Sequence, residues 1–316
     1  MHMKKYKTVL FYGFALVVLA GIFYPFLRSD TLDQNASSPL VSVILYEGAA
    51  DQWVSLGFGI QQACGELDIN VPITKLSDRT DPAQQKALID RELEDGAQGL
   101  IIAGNNSAAL LDDLEDIPAH VPVVLVEPVG DSRTPTVSLD DAEMGQILAN
   151  GLVSKKKNVI VLKENMHRQN VVLRYEAFKE QCAKNGTEIT EWESSGDNVV
   201  AFLTGMLSET PQCAIVAFDP ETLENIIDAA LAVPKAKPSL YGIGASEKIL
   251  YYLDRQLVLE ICFGNEFGVG FNGMITLAKA MGLKPDVNLS SIDSMLVRKD
   301  NLYNTYLEQL LFPIIR

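Results

Sequence analysis

The sequence lacks the motifs that mark the common enzyme classes. It contains no GxSxG nucleophile elbow, no HExxH pair and no Walker loop. The run from Gly242 to Ser246 is similar to an elbow but lacks the second glycine. Of the three histidines, only His167 could serve as the base of a catalytic triad. The sequence therefore predicts a protein that is not an enzyme and that carries no cofactor.

Cysteine is also scarce. None of the four cysteines has a partner at CxxC spacing, so a structural zinc site is not expected. In an exported domain Cys182 and Cys213 could be oxidised to a disulfide. The simpler interpretation is that all four cysteines are small buried apolar residues.

Basic residues are outnumbered, because 26 Lys and Arg stand against 41 Asp and Glu, for a net charge of −15. The first thirty residues are the exception and carry net positive charge, which leaves the remainder strongly acidic. Nucleic acids and anionic membrane surfaces need a basic face. The composition therefore argues against both as partners of the body of the protein.

The N-terminus combines a short basic stretch with one long apolar run over residues 9–27. About 19 such residues span a bilayer as a helix. A cleaved signal peptide has the same basic start and apolar centre. We favour a retained anchor, because the run is long for a signal peptide, no small-x-small pair follows directly, and no cysteine ends it. The prediction is a cytoplasmic end at 1–7, one transmembrane helix at 8–28, a tether at 29–39, and a body at 40–316 outside the cytoplasm.

The body alternates between strand and helix patterns. Short apolar runs predict strands, and apolar residues spaced three or four apart predict helices. The predicted strands cover residues 41–46, 71–75, 99–103, 121–126, 136–139, 158–162, 188–192, 213–218, 239–243, 258–263 and 295–298. The predicted helices cover 52–65, 82–95, 107–116, a segment opened by Asp140 or Asp141, 169–185, 199–207, 221–231, 247–253 and 268–281, before an amphipathic tail. Two rounds of alternation favour two similar doubly wound parallel-sheet lobes over one barrel.

Several segments resemble one known family in their order and spacing. They are the loop and helix start at 46–59, GAQGLII at 96–102, VPVVLVE at 121–127, LDD at 139–141 followed by Gly145, Arg174 with Phe178, and LVRKDN at 296–301. The chain resembles the type I periplasmic binding proteins, the group of the ribose-binding protein, which share their fold with the core of the lactose repressor. The resemblance implies two α/β lobes joined by a three-strand hinge, with ligand bound between them. Lobe one would be 40–140 and 264–295, and lobe two 141–263 and 296–316.

The resemblance also implies which residues contact ligand. Arg174 matches an arginine that binds sugar hydroxyls, Glu127 matches an acidic ligand residue, and Trp53 matches an aromatic that packs on the sugar ring. Other polar positions of the family have become apolar or small, namely at Ala50, Ala103, Pro128, Phe218, Gly244 and Phe263. Each unpaired sugar hydroxyl costs about 1–3 kcal/mol. Ribose is therefore not expected, and the cleft either takes a larger or less hydroxylated ligand or has lost ligand binding.

The complete predicted ligand site consists of Tyr46, Asp51, Trp53, Glu127, Asp141, His167, Arg168, Arg174, Phe218, Asp219 and Phe263. The competing interpretation is that Trp53 and the two phenylalanines are core residues and that Glu127, Arg174 and His167 are merely solvated. On the first interpretation, Arg174→Ala and Trp53→Ala weaken binding without unfolding the protein, because both side chains would line a solvent-filled cleft in the open form.

The functional expectation is a membrane-anchored extracytoplasmic protein that binds a small carbohydrate-like ligand. The first hypothesis is delivery of that solute to the permease of an ABC-type importer. The alternative is a co-receptor that presents its liganded form to a sensor kinase or chemoreceptor. The anchored N-terminus slightly favours the second hypothesis.

Overall fold

The computed structural model describes residues 39–46, 53–67, 69, 71, 73–75, 81–152, 158–193 and 198–311. The predicted anchor lies outside these residues, and so do Asp51 and all of the predicted tether except Pro39. Within the described ranges, no helix has both the length and the apolar character needed to cross a membrane. Residues 40–316 form one unit, which contains both sheets.

The first sheet has four short parallel strands in the order β2-β1-β3-β4. Its strands are β1 (Val41–Leu45), β2 (Ile73–Lys75), β3 (Gly99–Ile102) and β4 (Val123–Leu125), and the connecting helices are α1 (Val54–Leu67), α2 (Pro82–Glu94) and α3 (Ser107–Asp116). Every residue of β1 and β3 is buried, as expected for strands covered on both faces by helices.

The second sheet has six strands in the order β10-β9-β8-β7-β5-β6. Its elements are α4 (Asp141–Leu152), β5 (Asn158–Leu162), α5 (Gln169–Lys184), β6 (Glu188–Trp192), α6 (Val199–Glu209), β7 (Ala214–Ala217), α7 (Pro220–Ala232), β8 (Ser239–Ile243), α8 (Glu247–Asp254), β9 (Val258–Gly264), β10 (Ser294–Val297) and α10 (Thr305–Leu311). All neighbours pair in parallel except β10, which is antiparallel to β9. Alternate residues of β7 face two separate apolar cores, one on each side of the sheet.

Helix α9 (Glu266–Ala280) follows β9 but packs in the first lobe, against α1 and the strands β3 and β4. The two helices cross closely, because a side chain at Gly59 would collide with the Phe267 carbonyl and one at Gly270 with the Leu56 carbonyl. The chain thus passes between the lobes after β4, after β9 and before β10. This arrangement is the two-lobed parallel α/β architecture that the sequence predicts.

Three local expectations need correction. The predicted strand at 136–139 is reduced to a single bridge between Leu125 and Thr136. Helix α9 begins two residues earlier than predicted, because the side chain of Asn265 accepts a hydrogen bond from the amide of Gly268 and caps the helix. Within the described ranges no disulfide joins Cys182 to Cys213, and Cys182 lies in a core of lobe two.

Candidate functional site

The candidate site lies where the carboxyl ends of the strands of both sheets face each other, which is the edge at which open parallel sheets bind ligands. From lobe one, Tyr46 directly follows β1 and Glu127 follows β4. From lobe two, Arg168 precedes α5 and Asp219 caps the start of α7. Glu266 is the first residue of α9.

A short segment of lobe two, residues 167–170, makes direct hydrogen bonds to lobe one, and we call it the latch. Its backbone bonds to one residue, Ser107, at the start of α3. The amide of Ser107 donates to the carbonyl of His167 at 3.1 Å, and the amide of Gln169 donates to Oγ of Ser107 at 2.8 Å. Both bonds hold the start of α5 against the start of α3.

The side chains of the latch bond to two further residues of lobe one. Nη1 of Arg168 donates to the Tyr46 hydroxyl at 2.8 Å, and Nδ2 of Asn170 donates to Oε1 of Glu127 at 2.8 Å. The Tyr46 hydroxyl in turn donates to the same Oε1 at 2.9 Å. All four consecutive residues of the latch therefore bond across the cleft, so the lobes lie in a closed arrangement.

Arg168 is buried between the lobes, with 4% of its surface exposed. Its guanidinium lies 5.1 Å from the centroid of the Tyr46 ring, a cation–π contact. Its Nη2 lies 3.4 Å from Oδ1 of Asp219, and no described residue accepts a hydrogen bond from that nitrogen. Asp219 is itself fixed, because Oδ1 accepts from the amide of Thr222 in α7.

Arg174 is bound within lobe two. Its Nε donates to Oδ1 of Asp141 at 2.7 Å, and its Nη1 donates to the carbonyl of Phe218 at 3.0 Å. Helices α4 and α5 bring the pair together, since Gly145 of α4 leaves no room for a side chain against the Arg174 carbonyl. Burial raises the pKa of Asp141, and the neighbouring Arg174 opposes that rise.

Two carboxylates on the lobe-one side of the cavity, Glu127 and Glu266, form no ion pair with a described residue. Oε2 of Glu127 is sealed from solvent and bonds to no described residue. Burial raises the pKa of Glu127 to about 7, although Arg168 and Arg174 oppose the rise. For Glu266 no hydrogen bond or ion pair to a described side chain is present. Burial raises its pKa to about 8, against the opposing effect of Arg174, and the charge of Glu127 raises it further.

These groups surround a cavity of about 20 Å³ between the lobes. It is lined by Tyr46, Glu127, Leu139, Met144, Arg168, Asn170, Arg174, Asp219, Pro220, Ile243, Gly244, Gly264 and Glu266. A space of this size holds about one water molecule, whereas sites for small ligands measure roughly 300–1,000 Å³. A ligand as large as a sugar can therefore enter only when the lobes separate.

Five of the predicted site residues line this cavity, namely Tyr46, Glu127, Arg168, Arg174 and Asp219. Asp141 lies behind Arg174 as its ion-pair partner. The ring of His167 is exposed, and only its carbonyl takes part in the latch. That any of these residues contacts a ligand stays a prediction.

Three of the four aromatic residues predicted for the site, Trp53, Phe218 and Phe263, lie in the protein's cores and do not line the cavity. Phe218 packs edge-to-face on Tyr175 and Phe178, and Phe263 belongs to the other core of lobe two. Trp53 is 5% exposed, and its Nε1 donates to the carbonyl of Tyr46 at 2.7 Å. It supports Tyr46 from behind, because its ring also meets the Tyr46 ring edge-to-face.

The structure corrects the expectation that Arg174 and Trp53 can be removed without cost to stability. Both side chains are buried, and each bonds to its own lobe, Arg174 to Asp141 and Trp53 to the Tyr46 carbonyl, so these bonds do not depend on whether the cleft is open or closed. Their removal leaves a buried carboxylate or carbonyl without its partner.

Two polar side chains that line the cavity, Asn170 and Glu266, were missed by the sequence analysis. Asn170 lies in the first turn of α5, where its position at the end of a strand–loop unit was a usable signal. Glu266 directly follows the capping Asn265, a pairing typical of a helix start. In the part of the chain that the structure describes, no group of three His, Cys, Asp or Glu side chains could hold a metal ion.

Comparison with known proteins gives the class and then the family. The fold is that of solute-binding proteins with two α/β lobes. One similar structure is an ABC transporter solute-binding protein from Agrobacterium vitis with bound D-fucose, at TM-score 0.75 and 15% identity, covering 86% of this chain and 99% of that one. Another is a carbohydrate transporter solute-binding protein from Agrobacterium radiobacter in complex with D-arabinose, at TM-score 0.72 and 16% identity, covering 87% and 100%.

A third is the Caulobacter myo-inositol binding protein bound to myo-inositol, at TM-score 0.71 and 16% identity, covering 86% and 98%. No curated protein sequence matches the chain significantly. Residues 41–284 match the periplasmic binding protein domain family. The chain belongs to this family, whose members are binding proteins and not enzymes.

Proposed function

We propose that this protein is an extracytoplasmic solute-binding protein that holds a small sugar-like ligand between its two lobes. The observation that carries the proposal is the convergence of polar side chains from both lobes on one cavity. Tyr46 and Glu127 come from lobe one, and Arg168, Asn170 and Arg174 come from lobe two. A ligand that bonds to groups of both lobes stabilises the closed form over the open one.

Two further points support a sugar-like ligand. The similar structures include proteins with D-fucose, D-arabinose and myo-inositol bound. The cavity also contains both acceptors and donors, as hydroxyl groups require, because each hydroxyl donates one hydrogen bond and accepts others. Since Gly244 and Gly264 supply no polar side chain to the lining, a ligand that is larger than ribose or partly apolar fits better than ribose itself.

The proposal includes location and partner. The body would lie outside the cytoplasm, held by the apolar segment at residues 9–27, and the closed form would be recognised by the permease of an ABC-type importer. The concentration of a ligand that binds only the closed form would then determine the fraction of the protein that the permease can recognise.

Thermal unfolding of the full chain in detergent, against sugars and polyols, tests the proposal. A ligand at a hundredfold excess over its Kd should stabilise the protein by about 2.7 kcal/mol. Glu127→Gln should reduce this effect, because Glu127 lines the cavity, whereas Glu176→Gln on the exposed face of α5 should not. The absence of any stabilising sugar or polyol would contradict the proposal.

A further inference from the structure

The charges around the cavity are distributed unevenly between the lobes. Each of the two lobe-two arginines that line the cavity has an acid of the same lobe beside it. Arg174 pairs with Asp141 at 2.7 Å, and Arg168 lies 3.4 Å from Asp219. Lobe two therefore brings little net charge to the cleft.

The two acids of lobe one that line the cavity, Glu127 and Glu266, form no ion pair with a described residue of lobe one. Among the described residues, Glu127 accepts hydrogen bonds only from neutral groups, the Tyr46 hydroxyl and the Asn170 amide, and both reach Oε1. Its Oε2 is buried without a hydrogen-bond partner among them. The carboxylate of Glu266 also lines the cavity, and it forms no hydrogen bond or ion pair with a described side chain. Both acids line the cavity and interact electrostatically with each other.

An uncompensated buried carboxylate is costly, and the cost is removed by a proton or by a cation. The cavity that these two acids share has room for about one water-sized group. A primary ammonium group has that size and donates three hydrogen bonds. An ammonium group can donate to both carboxylates. Its positive charge also neutralises their negative charge, which a neutral hydroxyl cannot do.

We propose that the ligand carries a protonated amine, as an amino sugar does, and that its ammonium group binds between Glu127 and Glu266. This inference rests on the proposed function, because it names the class of sugar-like ligand. The rest of the ligand takes the space opened when Arg168 and Tyr46 separate, with its hydroxyls bonded to Nη2 of Arg168. The raised pKa values of both acids agree with this, since each carboxyl group holds its proton more tightly than usual until a cation replaces it.

Calorimetric titration of the full chain in detergent, with matched pairs of sugars, tests the inference. The pairs are D-glucosamine with D-glucose, D-galactosamine with D-galactose, and D-mannosamine with D-mannose, and the N-acetyl derivatives serve as uncharged amides. At least one amine should bind about tenfold or more tightly than its hydroxyl and N-acetyl counterparts. Equal or tighter binding of the neutral sugars overturns the inference and leaves the proposed function standing. If no sugar of either kind binds, both fall.

Single-residue variants test whether the carboxylate of Glu266 binds the ammonium group. Glu266→Gln keeps the side-chain shape and should remove most of the preference for the amine over its neutral counterpart. Glu176→Gln, an exposed acid on α5, should leave the preference unchanged. A preference that persists in Glu266→Gln, in protein whose thermal unfolding shows an intact fold, overturns the role given to Glu266.

Discussion

The two lobes are built alike and yet present opposite chemistry to the cleft. Each has a parallel sheet and a pair of helices in close contact at a glycine, Gly59 in lobe one and Gly145 in lobe two. In lobe two the charges of the cleft are neutralised internally. In lobe one, Glu127 is bonded only by neutral groups among the described residues, Tyr46 of its own lobe and Asn170 of lobe two, and Glu266 forms no hydrogen bond with a described side chain. The charged groups of lobe two are therefore paired before a ligand binds. The carboxylates of lobe one are the groups whose energy changes when a charged ligand enters the cleft.

The direction of the side-chain bonds in the latch follows the same division. Arg168 and Asn170 of lobe two donate, and Tyr46 and Glu127 of lobe one accept. Closure thus brings a donor face onto an acceptor face, and the four experiments below perturb one side or the other.

The largest effect is expected from breaking the internal pair of lobe two. Asp141→Ala leaves Arg174 as a buried charge without its carboxylate, which costs about 3–5 kcal/mol. Denaturant unfolding measures the loss. Glu180→Ala, which removes an exposed ion pair with Lys184, should leave stability nearly unchanged. A loss below about 1 kcal/mol for Asp141→Ala would show that the pair is not needed to stabilise lobe two.

The helix crossings test whether the lobes are equally sensitive to packing. Gly145→Ala and Gly59→Ala each place a methyl group against a backbone carbonyl, so each should cost about 1–3 kcal/mol. Gly205→Ala, on an exposed helix position with open space around it, should instead stabilise the protein by about 0.5–1 kcal/mol. Calorimetric melting of all three variants gives the comparison. Neutral behaviour of Gly145→Ala or Gly59→Ala would mean that the crossing relaxes without cost.

The acids of lobe one predict a dependence of stability on pH. The pKa values of Glu127 and Glu266 rise from 4.5 to about 7 and about 8 in the folded protein. Between pH 4.5 and pH 8 the folded state therefore holds protons that the unfolded state has lost, and stability falls as pH rises. The slope is at most roughly 1.4 kcal/mol per pH unit for each group. Denaturant unfolding at several pH values measures it.

The control for this dependence is Glu266→Gln, which should flatten the profile above pH 5. Asp141, Arg168 and Arg174 also face the cavity region, so only the difference between the two profiles is assigned to Glu266. Parallel profiles would show that Glu266 ionises as it does in water.

The smallest effect is expected from the latch. Asn170→Ala removes one of its bonds to lobe one and should weaken closure by about 1 kcal/mol. Small-angle scattering should then show a larger average radius of gyration. Asn150→Ala removes an amide that bonds only within lobe two, to Gln181 and Asn185, and should leave the radius unchanged. Identical scattering from both variants would mean that this bond does not hold the lobes together.

The fold could be predicted from the sequence because its strands are short apolar runs separated by helices of clear periodicity. The runs at β1 and β3 are apolar except for Ser42, and the residues after them place Tyr46 and Asn105 at one edge of the sheet. The cleft was partly predicted for the same reason. Arg168 and Asp219 follow strand ends in the sequence, so their approach to the cleft is a consequence of topology.

The remainder of the site depends on contacts between distant segments. The sequence predicts that Arg174 lies in a helix, but it does not show that Arg174 forms a buried ion pair with Asp141 of a different helix. Phe218 and Phe263 follow apolar strands, and whether such a ring turns toward the cleft or a core depends on neighbours elsewhere in the chain. The latch is the extreme case, because residues 167–170 meet Ser107 only when both lobes are in place.

The antiparallel strand β10 has a consequence for any shortened form of the chain. It pairs with the outer edge of β9. Strand β9 has seven residues, and all but one of them are buried. The family match ends at residue 284, before β10 begins. A chain cut at that boundary would present β9 as an uncovered apolar edge, the kind of surface that recruits strands from other molecules. Such a fragment should aggregate, and β10 therefore protects the protein against intermolecular β-pairing.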